Sequence, residues 1–524
     1  MEWSRIVSME FNIVLLVVAM TTSISSAAKL LLVPVLHHSH VGLFTEAGRH
    51  LKSRGHDVWI MAGESYEPKI TKQGLNGIFH KHDKIYDFIE SLDETDAAKA
   101  FLNGTYGINF IMNELFSRFP AACEGILGDD LVMNKVKDTG FDLALVDAVI
   151  PWRCILVIMY KYDIKFISLT PQLDPWSVGV AALPSAEPFV AAEMTNEMTF
   201  TQRALNTVMY TVLTVMGSRS TSELVEKYVP EKPPISVNEL YMNAQMWLVN
   251  METTCVDYPR VSGAHYRFIG GASASAARPL PDDLAEWVGN STNGVVLMTF
   301  GSMKIFRAVV HEIQDKLFDA FSRLQQRVIL QIDPAKVTRK IPGNVKCMSW
   351  LPQNDLLGHP KVRVFITHGG NNGQIESIYH GVPIITLPIM SEQAYNGLRA
   401  QSKNYGFRLD TVKFTSDELV TAINELINNR TYRDSVRKCS EILRSMPNAH
   451  DTLFVWVEHI LRYGGQHLRP SNIDMNFITA FNLDVYAALL CILHIVLFII
   501  YMLLKCTFNC IRRFVGFAPK QKTE

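Results

Sequence analysis

A strand, a glycine turn and a helix follow one another between residues 362 and 387, and no other stretch constrains the fold as tightly. Four of the five residues at 362–366 are apolar, which is typical of a strand covered on both faces. A His-Gly-Gly turn follows at 368–370, residues 371–379 are suited to a helix, and residues 384–387 supply the next strand. This strand–helix–strand succession predicts a parallel sheet of an α/β fold.

The turn at 368–370 is also a natural site for phosphate. A helix N-terminus leaves backbone N–H groups unpaired and carries the positive end of the helix dipole. Nearby lie an aromatic face and an amide suited to a flat base, a carboxylate suited to a ribose diol, and a histidine suited to a diphosphate. A glycine turn alone is common in βα units, but the complete set predicts a nucleotide site. Its members are Trp350, Gln353, His368, Gly369, Gly370, Asn372, Glu376, Glu392 and Gln393.

The N-terminal part of the chain carries a separate βαβ pattern. His37, His38, Ser39 and His40 form a polar loop after its first strand, and Asp147 ends a later strand. Because the carboxyl ends of parallel strands share one edge of a sheet, we expect His40 and Asp147 at the same edge. The predicted elements are strands at 29–36, 56–62 and 141–147 and a helix at 41–54.

Residues 268–281 form a linker-like run rich in Gly, Ala, Ser and Pro, after which a second βα series begins. Its first turn, Gly301-Ser302, can add N–H groups to the phosphate site. Two α/β halves in tandem imply a cleft in which substrates bind. The predicted elements are strands at 295–300 and 327–332, helices at 310–324 and 415–428, and a closing helix within 451–470.

Residues 171–216 are rich in Ala, Pro, Met and Val and carry few charges. This composition fits an excursion that lines an acceptor pocket or touches a membrane. Ordinary buried helices fit it equally well. The sequence leaves both interpretations open.

The composition excludes one class of partner and points to a membrane. The formal net charge of −1 offers no basic surface for nucleic acid, so no nucleic-acid partner is expected. The hydrophobic share of 48% in 524 residues is high for a soluble protein. Three of the eight cysteines lie in or beyond the C-terminal apolar segment. The other five show no metal-ligand spacing and no dense disulfide framework, so we expect no metal and leave the cysteine pairing open.

Both ends of the chain carry addressing information. The apolar run at 13–20, followed by small residues at 26–28, predicts a signal peptide over residues 1–28, with Met1 or Met9 as the start. The apolar segment at 485–504 is long enough to span a bilayer as a helix. Basic residues follow it and acidic residues precede it, so the positive-inside rule places residues 505–524 in the cytosol and the large N-terminal part in the lumen.

Shorter motifs agree with this topology. Three glycosylation triplets, at Asn103, Asn290 and Asn429, lie on the expected lumenal side. Lys520 and Lys522 near the C-terminus resemble the dilysine retrieval signal of endoplasmic reticulum membrane proteins. Together these features predict a single-pass type I protein of the endoplasmic reticulum membrane.

The stretch from Ser349 to Asn396 closely resembles the signature of the UDP-glycosyltransferase family, in its animal, membrane-bound, UDP-glucuronosyltransferase-like branch, and the resemblance extends over nearly the whole chain. It implies the α/β fold called GT-B, in which two Rossmann-like domains face a cleft, here with a C-terminal transmembrane helix. Residues 29–275 would bind the acceptor. Residues 276–470, closing helix included, would bind the UDP-sugar.

The resemblance also assigns roles. His40 matches the catalytic base and Asp147 its partner, although His37 and His38 are rivals in the same loop. Trp350 would stack on uracil, Gln353 would bond its edge, and Glu376 would take the ribose hydroxyls. Asn372, His368, the two glycines and Ser302 would surround the diphosphate. Glu392-Gln393 would contact the sugar; vertebrate relatives usually have Asp-Gln there, so the extra methylene of Glu392 leaves the sugar open.

The implied reaction is an inverting, metal-independent transfer from a UDP-sugar co-substrate, without a cofactor, to a small lipophilic acceptor. Glucuronic acid is the first choice of sugar, and glucose, or galactose transferred onto a lipid, is the alternative. The alternatives of another class are a non-catalytic binding protein with this fold and a membrane receptor. Membrane lipid is an expected partner, and a homo-oligomer is a further option.

Overall fold

The computed structural model describes residues 27–82, 98–99, 102, 108–171, 175, 178, 183–190, 192–217, 222–302, 304–389 and 392–516. Almost all of the predicted signal peptide, Asn103, and the tail that carries Lys520 and Lys522 lie outside these residues. The chain forms two compact units, which meet in sequence between Arg469 and Pro470.

The first unit contains two sheets, and every strand pairing in them is parallel. The strands of the first sheet are β1 (Lys29–Val33), β2 (Asp57–Gly63), β3 (Asn76–His80), β4 (Leu143–Val146), β5 (Phe166–Thr170), β6 (Trp247–Val249) and β7 (Tyr266–Phe268). Those of the second are β8 (Val295–Thr299), β9 (Arg327–Gln331), β10 (Val345–Met348), β11 (Val362–Thr367), β12 (Ile384–Thr386) and β13 (Gly406–Arg408).

The two sheets share one topology. The first has the order β3-β2-β1-β4-β5-β6-β7 and the second the order β10-β9-β8-β11-β12-β13. Apart from the extra edge strand β7, both follow the 3-2-1-4-5-6 order of a doubly wound fold. In each, the order reverses between the first and fourth strands, which are β1 and β4 in one sheet and β8 and β11 in the other. The predicted tandem of two parallel α/β sheets is therefore confirmed.

Helices surround both sheets. Those associated with the first part of the chain are α1 (His38–Ser53), α2 (Glu67–Lys72), α3 (Ile108–Leu127), α4 (Asp130–Thr139), α5 (Leu156–Lys161), α6 (Phe200–Gly217), α7 (Glu223–Tyr228) and α8 (Val237–Met242). The later ones are α9 (Asp282–Gly289), α10 (Lys304–Glu312), α11 (Gln314–Ser322), α12 (Gln353–Leu357), α13 (Asn371–Tyr379), α14 (Gln393–Ser402), α15 (Ser416–Asn428), α16 (Arg430–Ser445) and α17 (Ala449–Tyr463).

Apolar burial explains where the outer helices lie. In the first core, Leu30 and Leu32 of β1 pack with Phe44 and Leu51 of α1. Helix α17 also packs in this core, through the buried residues 453, 457 and 460. Their spacing is the helical one that the sequence indicates. The closing helix thus follows the second sheet in the chain but is buried against the first.

Most predicted elements match the structure within a few residues. Helix α13 has the predicted bounds, and α15 begins at Ser416, directly after the N-cap residue Thr415, whose side chain forms a capping box with Glu418. Two expectations were wrong. The predicted polar loop at 37–40 is largely the first turn of α1, because the carbonyl of His37 already accepts a helical hydrogen bond from Val41 N at 2.9 Å.

The other wrong expectation concerns the helix at 310–324. The structure has two helices, α10 and α11, and the first of them begins earlier, at Lys304. Ile313 separates them because its backbone leaves the helical region, with φ −96° and ψ 8°. The Ile313 side chain is buried. The apolar spacing used for the prediction runs through both helices and cannot show such a break.

Two disulfides pair four of the cysteines. Cys123 of α3 bonds Cys154, and Cys255, in the connection between β6 and β7, bonds Cys439 of α16. The second bond joins a loop of the first sheet to a helix that packs with the second. Neither pairing could be predicted from the sequence, since the partners are 31 and 184 residues apart.

Helix α6 within the 171–216 stretch carries an outward apolar face. Phe200, Leu205, Val208 and Val212 are exposed there. Other residues of the stretch, Pro171 and Val190, line the cavity described below. The acceptor-lining interpretation is therefore compatible with the fold, and membrane contact by α6 stays a prediction.

The second unit consists mainly of α18 (Phe477–Ala480) and α19 (Leu483–Val515). Helix α19 contains the predicted apolar segment 485–504 and is the one helix in the described part of the chain that is long and apolar enough to cross a membrane. Asp484 lies in its first turn, and Arg512 and Arg513 lie in its last. The charge asymmetry noted in the sequence thus falls at the two ends of one continuous helix.

Candidate active site

The carboxyl edges of both sheets line one cavity of about 780 Å³. In doubly wound sheets the crevice at the reversal of strand order is the usual ligand site. The first sheet contributes His40, beyond β1, and the second contributes Gly301, beyond β8, and His368, beyond β11. Asp147 directly follows β4, next to the reversal in the first sheet.

His40 and Asp147 form a direct pair. The imidazole Nδ1 lies 2.5 Å from Asp147 Oδ2, although the residues are 107 positions apart in sequence. Register explains the meeting, because Val33 of β1 is opposite Val146 of β4. The Asp147 side chain is 1% exposed, and that of His40 is 24% exposed, toward the cavity. The imidazole Nε2 is therefore the ring nitrogen left to meet a ligand.

The surroundings of His40 favour its protonated form. Burial alone lowers the pKa of His40, but the negative charge and hydrogen bond of Asp147, helped by the charge of Glu392, outweigh burial and raise that pKa above its ordinary value. A histidine held in this way can take up a proton and keep it in an apolar setting. This is the requirement for a general base that acts on a neutral alcohol.

The two rival histidines have other surroundings. His37 is the N-cap residue of α1, and its Nδ1 lies 2.8 Å from Ser39 Oγ. Burial, with repulsion from neighbouring histidines, lowers the pKa of His37 to about 3. The pKa of His38 is also lowered, by burial and then by Lys69 and Arg307. Among the residues described, Asp147 bonds His40 and neither rival, which favours His40 as the base.

Three positions around His368 favour glycine, either because a Cβ would meet the imidazole or because φ is positive: Gly301, Gly369 and Gly370. A Cβ on Gly370 would lie 2.6 Å from His368 Nε2, which is closer than any side chain tolerates. Gly369 has φ +93°, and Gly301, in the turn after β8, has φ +74°; both angles favour glycine. A Cβ on Gly301 would also lie 3.2 Å from His368 Cε1. The imidazole is thus packed between two glycine turns at the N-terminus of α13.

Burial lowers the pKa of His368 to about 4. The imidazole is therefore neutral at physiological pH and can offer an N–H group. Backbone N–H groups at the N-terminus of α13 lie beside it, with the positive end of the helix dipole. Ser302 and Asn372 line the same part of the cavity. These groups together suit a diphosphate.

The residues predicted to bind the uracil and the ribose lie close to one another. Trp350 is 56% exposed, and its ring centroid is 5.6 Å from that of His38. Gln353 Nε2 donates to Glu376 Oε2 at 2.7 Å. Burial raises the pKa of Glu376 to about 7, against the opposing hydrogen bond from Gln353. The amide assigned to the uracil edge is thus bonded to the carboxylate assigned to the ribose.

The predicted sugar-contacting pair lies at the start of α14. Glu392 lines the cavity and lies close enough to His40 to affect its pKa. Gln393 is buried, and its Oε1 accepts a hydrogen bond from Ile389 N at 2.8 Å. Glu392 is therefore open to a ligand, while the Gln393 side chain is bonded to the backbone of Ile389.

Three polar residues that the sequence reasoning did not single out also line the cavity: Asn371, Tyr395 and Arg399. Arg399 is buried and donates to Asn371 Oδ1 at 3.3 Å and to Gln374 Oε1 at 2.9 Å. Sequence spacing could have pointed to two of them, because Tyr395 and Arg399 are four apart and therefore share a face of α14.

The two described glycosylation triplets differ in surroundings. Asn290 is exposed at the C-terminal end of α9. Asn429 is the N-cap of α16, where its Oδ1 accepts from Thr431 N at 3.0 Å and its Nδ2 donates to Glu425 Oε1 at 2.8 Å. A glycan on Asn429 would have to form despite these bonds, so Asn290 is the more accessible acceptor of the two.

Comparison with protein families decides the affiliation. The family model for UDP-glucoronosyl and UDP-glucosyl transferases matches residues 28–521. The chain belongs to this family. It is a UDP-sugar glycosyltransferase, and a nucleotide-sugar donor is therefore one of its substrates.

Individual relatives agree on the family and differ in the sugar they are named for. UDP-glucuronosyltransferase 3A1 of Xenopus laevis is 32% identical over 71% of this chain and 72% of its own length. The human 2-hydroxyacylsphingosine 1-beta-galactosyltransferase is 29% identical over 89% of this chain and 86% of its own. The two names indicate different donor sugars at similar levels of identity.

Solved structures show the fold of this glycosyltransferase. The glycotransferase of kitacinnamycin has a TM-score of 0.58 and 19% identity, over 83% of this chain and 98% of its own. The calicheamicin glycosyltransferase CalG4 has a TM-score of 0.57 and 17% identity, over 83% and 99%. The predicted GT-B fold is therefore confirmed. No group of three or more His, Cys, Asp or Glu side chains is placed to hold a metal ion within the described ranges.

Proposed function

We propose that this glycosyltransferase transfers its sugar with inversion to a small lipophilic acceptor, and that His40 is the base and Asp147 its partner. One observation carries the proposal: His40, which is bonded to Asp147, and the His368 turn line the same cavity, one from each half of the fold. An in-line displacement needs both a base and a leaving-group site on one cavity, and the two halves of the fold supply one each.

The proposed step is a displacement at the anomeric carbon that is coupled to the transfer of one proton. The acceptor oxygen forms a bond to the anomeric carbon of the donor sugar while its proton passes to His40 Nε2. The bond from that carbon to the β-phosphate oxygen breaks, and its electron pair stays on the diphosphate. Asp147, bonded to Nδ1, orients the ring and stabilises the imidazolium that forms.

The leaving diphosphate needs compensation for its developing charge. His368 can donate an N–H bond, and the N-terminus of α13 supplies backbone N–H groups and its dipole. Such preorganised donors stabilise charge in a site that excludes water. We therefore assign the diphosphate to this turn and include no metal ion in the step.

Glucuronic acid is the proposed sugar, in line with the names of several relatives. Galactose or glucose is the second candidate, favoured by the similarity to galactosyltransferases and by Glu392, whose side chain is longer than the aspartate usual in vertebrate relatives. Glu392 lies on the cavity beside the base, where a donor sugar would be bound.

The acceptor proposal depends on the wall that the first half contributes. Its apolar members favour a lipophilic molecule over a polar one: Phe119, Val149, Pro171, Val190 and Met251. We further propose that α19 anchors the protein in the endoplasmic reticulum membrane with the cavity on the lumenal side. The acidic and basic ends of α19 support this orientation.

A donor screen tests the proposal. Microsomes from cells that express the full chain are given one phenolic acceptor with UDP-glucuronate, UDP-glucose or UDP-galactose, and microsomes with the His40→Ala variant are the matched control. We expect turnover with UDP-glucuronate and loss of it in the control. Turnover with another donor alone would reject the proposed sugar, and turnover that survives in the control would reject His40 as the base. UDP binding with no transfer from any donor would indicate the non-catalytic alternative.

A further inference from the structure

The connection between β6 and β7, residues 250–265, belongs to the first sheet by sequence but packs on the second half. Cys255 and Val256 lie in an apolar core with Ile375 of α13 and Val436 of α16. Tyr405 donates its hydroxyl to the Cys255 carbonyl at 2.8 Å. The Cys255–Cys439 disulfide fixes this β6–β7 loop to α16. The loop therefore keeps its position on the donor-binding half.

The β6–β7 loop inserts a carboxylate behind the donor site. Asp257 is 1% exposed, and its Oδ1 accepts from the Tyr395 hydroxyl at 2.6 Å and lies 3.4 Å from Arg399 Nη1. Burial alone would raise the pKa of Asp257, but the charges of Arg399 and Arg260 outweigh it and lower that pKa. Asp257 is thus a buried anion, and its charge is balanced by arginine.

This carboxylate is linked to the starts of two helices. Through Arg399 it reaches Asn371 and Gln374, in the first turns of α13, which begins at the proposed diphosphate site. Through Tyr395 it reaches the first turn of α14, which begins beside Glu392 at the proposed sugar site. One side chain therefore contacts, directly or through one partner, both helix ends that face the donor.

Further bonds of the same kind extend the network. Asn371 Nδ2 donates to the Asn250 carbonyl at 3.4 Å, at the start of the β6–β7 loop. Arg260, on the loop itself, donates to the Tyr395 hydroxyl at 3.1 Å and pairs with Glu187 at 3.5 Å. Buried networks of this kind fix geometry where a member has several partners, as Asp257, Tyr395 and Arg399 do.

We infer that Asp257 is a positioning residue for the donor: acting through Tyr395 and Arg399, it sets the spacing between the N-termini of α13 and α14, and the Cys255–Cys439 disulfide keeps its loop in place. The inference depends on the proposed donor site at those two helix ends. It assigns to the first half of the chain a part in donor binding that is separate from proton transfer.

Two tyrosines, one in α14 and one in the β6–β7 loop, give a matched test. Tyr395→Phe removes one hydroxyl that bonds Asp257. Tyr258→Phe removes one hydroxyl from the same loop, whose partner is Ser402, at the far end of α14, 3.2 Å away. Calorimetry on the full chain in detergent compares UDP with uridine. We expect Tyr395→Phe to weaken UDP binding about tenfold, as loss of a hydrogen bond to a charged group does, and to leave uridine binding unchanged.

The control defines the outcomes. Tyr258→Phe is expected to bind both ligands as the wild type does. The inference would be overturned if Tyr395→Phe bound UDP as tightly as the wild type. It would also be overturned if the two variants lost equal affinity and each lost it equally for UDP and uridine. In kinetics, the donor KM is expected to rise in Tyr395→Phe while the acid limb of the pH profile stays in place, because His40 is untouched. A wild-type chain that fails to bind UDP would reject the donor site itself, which is a different result.

The two disulfides allow a second test, in which the hydrogen-bonding side chains of Asp257, Tyr395 and Arg399 are left unchanged. Replacing both Cys255 and Cys439 by Ser is expected to raise the donor KM severalfold. Replacing both Cys123 and Cys154 by Ser removes a disulfide that does not involve the β6–β7 loop, and the donor KM is expected to stay within twofold of the wild type. An equal effect of both pairs would show a general loss of stability and overturn the role given to the loop.

Discussion

The two sheets have one topology and place different chemistry at the point where their strand order reverses. At β1 and β4 the first sheet has a histidine paired with a buried carboxylate. At β8 and β11 the second sheet has two glycine turns around a histidine, His368, whose pKa burial lowers to about 4. One histidine is suited to accept a proton, and the other is suited to remain neutral and donate a hydrogen bond.

The difference shows that position in the fold brings a residue to the cavity but does not decide its role. Both imidazoles are largely buried, and burial alone lowers the pKa of each. Asp147 reverses that effect for His40. The contrast between the pKa values of the two histidines therefore depends mainly on Asp147, with a smaller contribution from Glu392.

The largest expected effect is on the base. His40→Ala should lower kcat by roughly 10²- to 10⁴-fold, the usual contribution of general base catalysis, and leave UDP affinity nearly unchanged. Steady-state kinetics and calorimetry measure the two quantities. His38→Ala, in the same turn, should cost less than about tenfold because the described structure shows no carboxylate bonded to His38. A larger loss in His38→Ala than in His40→Ala would assign the base to the rival.

Asp147→Asn tests whether Asp147 causes the difference between the pKa values of His40 and His368. Without the carboxylate, burial dominates and the pKa of His40 should fall, so the neutral, active form persists to lower pH. We expect kcat to drop on the order of 10²-fold and the acid limb of the kcat/KM profile to move toward lower pH. The variant should therefore be least impaired, relative to the wild type, in acid. An acid limb that stays in place or moves to higher pH would contradict the pairing.

His368→Ala should affect the donor and leave proton transfer in place. Losing an N–H donor to a charged diphosphate should weaken UDP binding about 10- to 100-fold. The acid limb should not move, since His368 is already neutral there. His368→Gln, whose amide can donate in its place, should recover part of the affinity. A displaced acid limb in His368→Ala would mean that the second histidine also titrates during catalysis.

Glu376→Gln should have the smallest effect and a distinctive pH dependence. The pKa of Glu376 is about 7, so its carboxylate is more available to ribose hydroxyls above that pH. We expect wild-type UDP affinity to weaken as the pH falls through 7. The variant should bind about fivefold more weakly than the wild type at pH 8, the cost of one hydrogen bond, and nearly as well at pH 6. A loss that does not change with pH would remove Glu376 from the ribose site.

Sequence reasoning succeeded where the evidence is local. The strand, turn and helix at 362–379 have strong apolar patterning and a glycine turn, and the structure matches them closely. It also placed His40 and Asp147 at one sheet edge, because strand topology follows from the βαβ pattern. Local pattern does not report exact helix starts, so the polar loop at 37–40 was assigned wrongly when His37 already caps α1.

The features that were missed depend on contacts between distant residues. Three such contacts join segments far apart in sequence: the Cys255–Cys439 bond, the packing of α17 against the first sheet, and the hydrogen bond between Asp257 and Tyr395 of α14. No periodicity carries such information. A polar residue in a loop, such as Asp257, is expected at the surface. Only the structure shows that Asp257 is buried beside two arginines.

The most direct test of the contrast between the two histidines is a ¹⁵N NMR titration of the histidine side chains in the full chain in detergent. His40→Asn and His368→Asn variants assign the two signals. We expect His40 to titrate above its ordinary pKa and His368 to stay neutral down to about pH 5. A His368 signal that titrates at or above that of His40 would contradict the account.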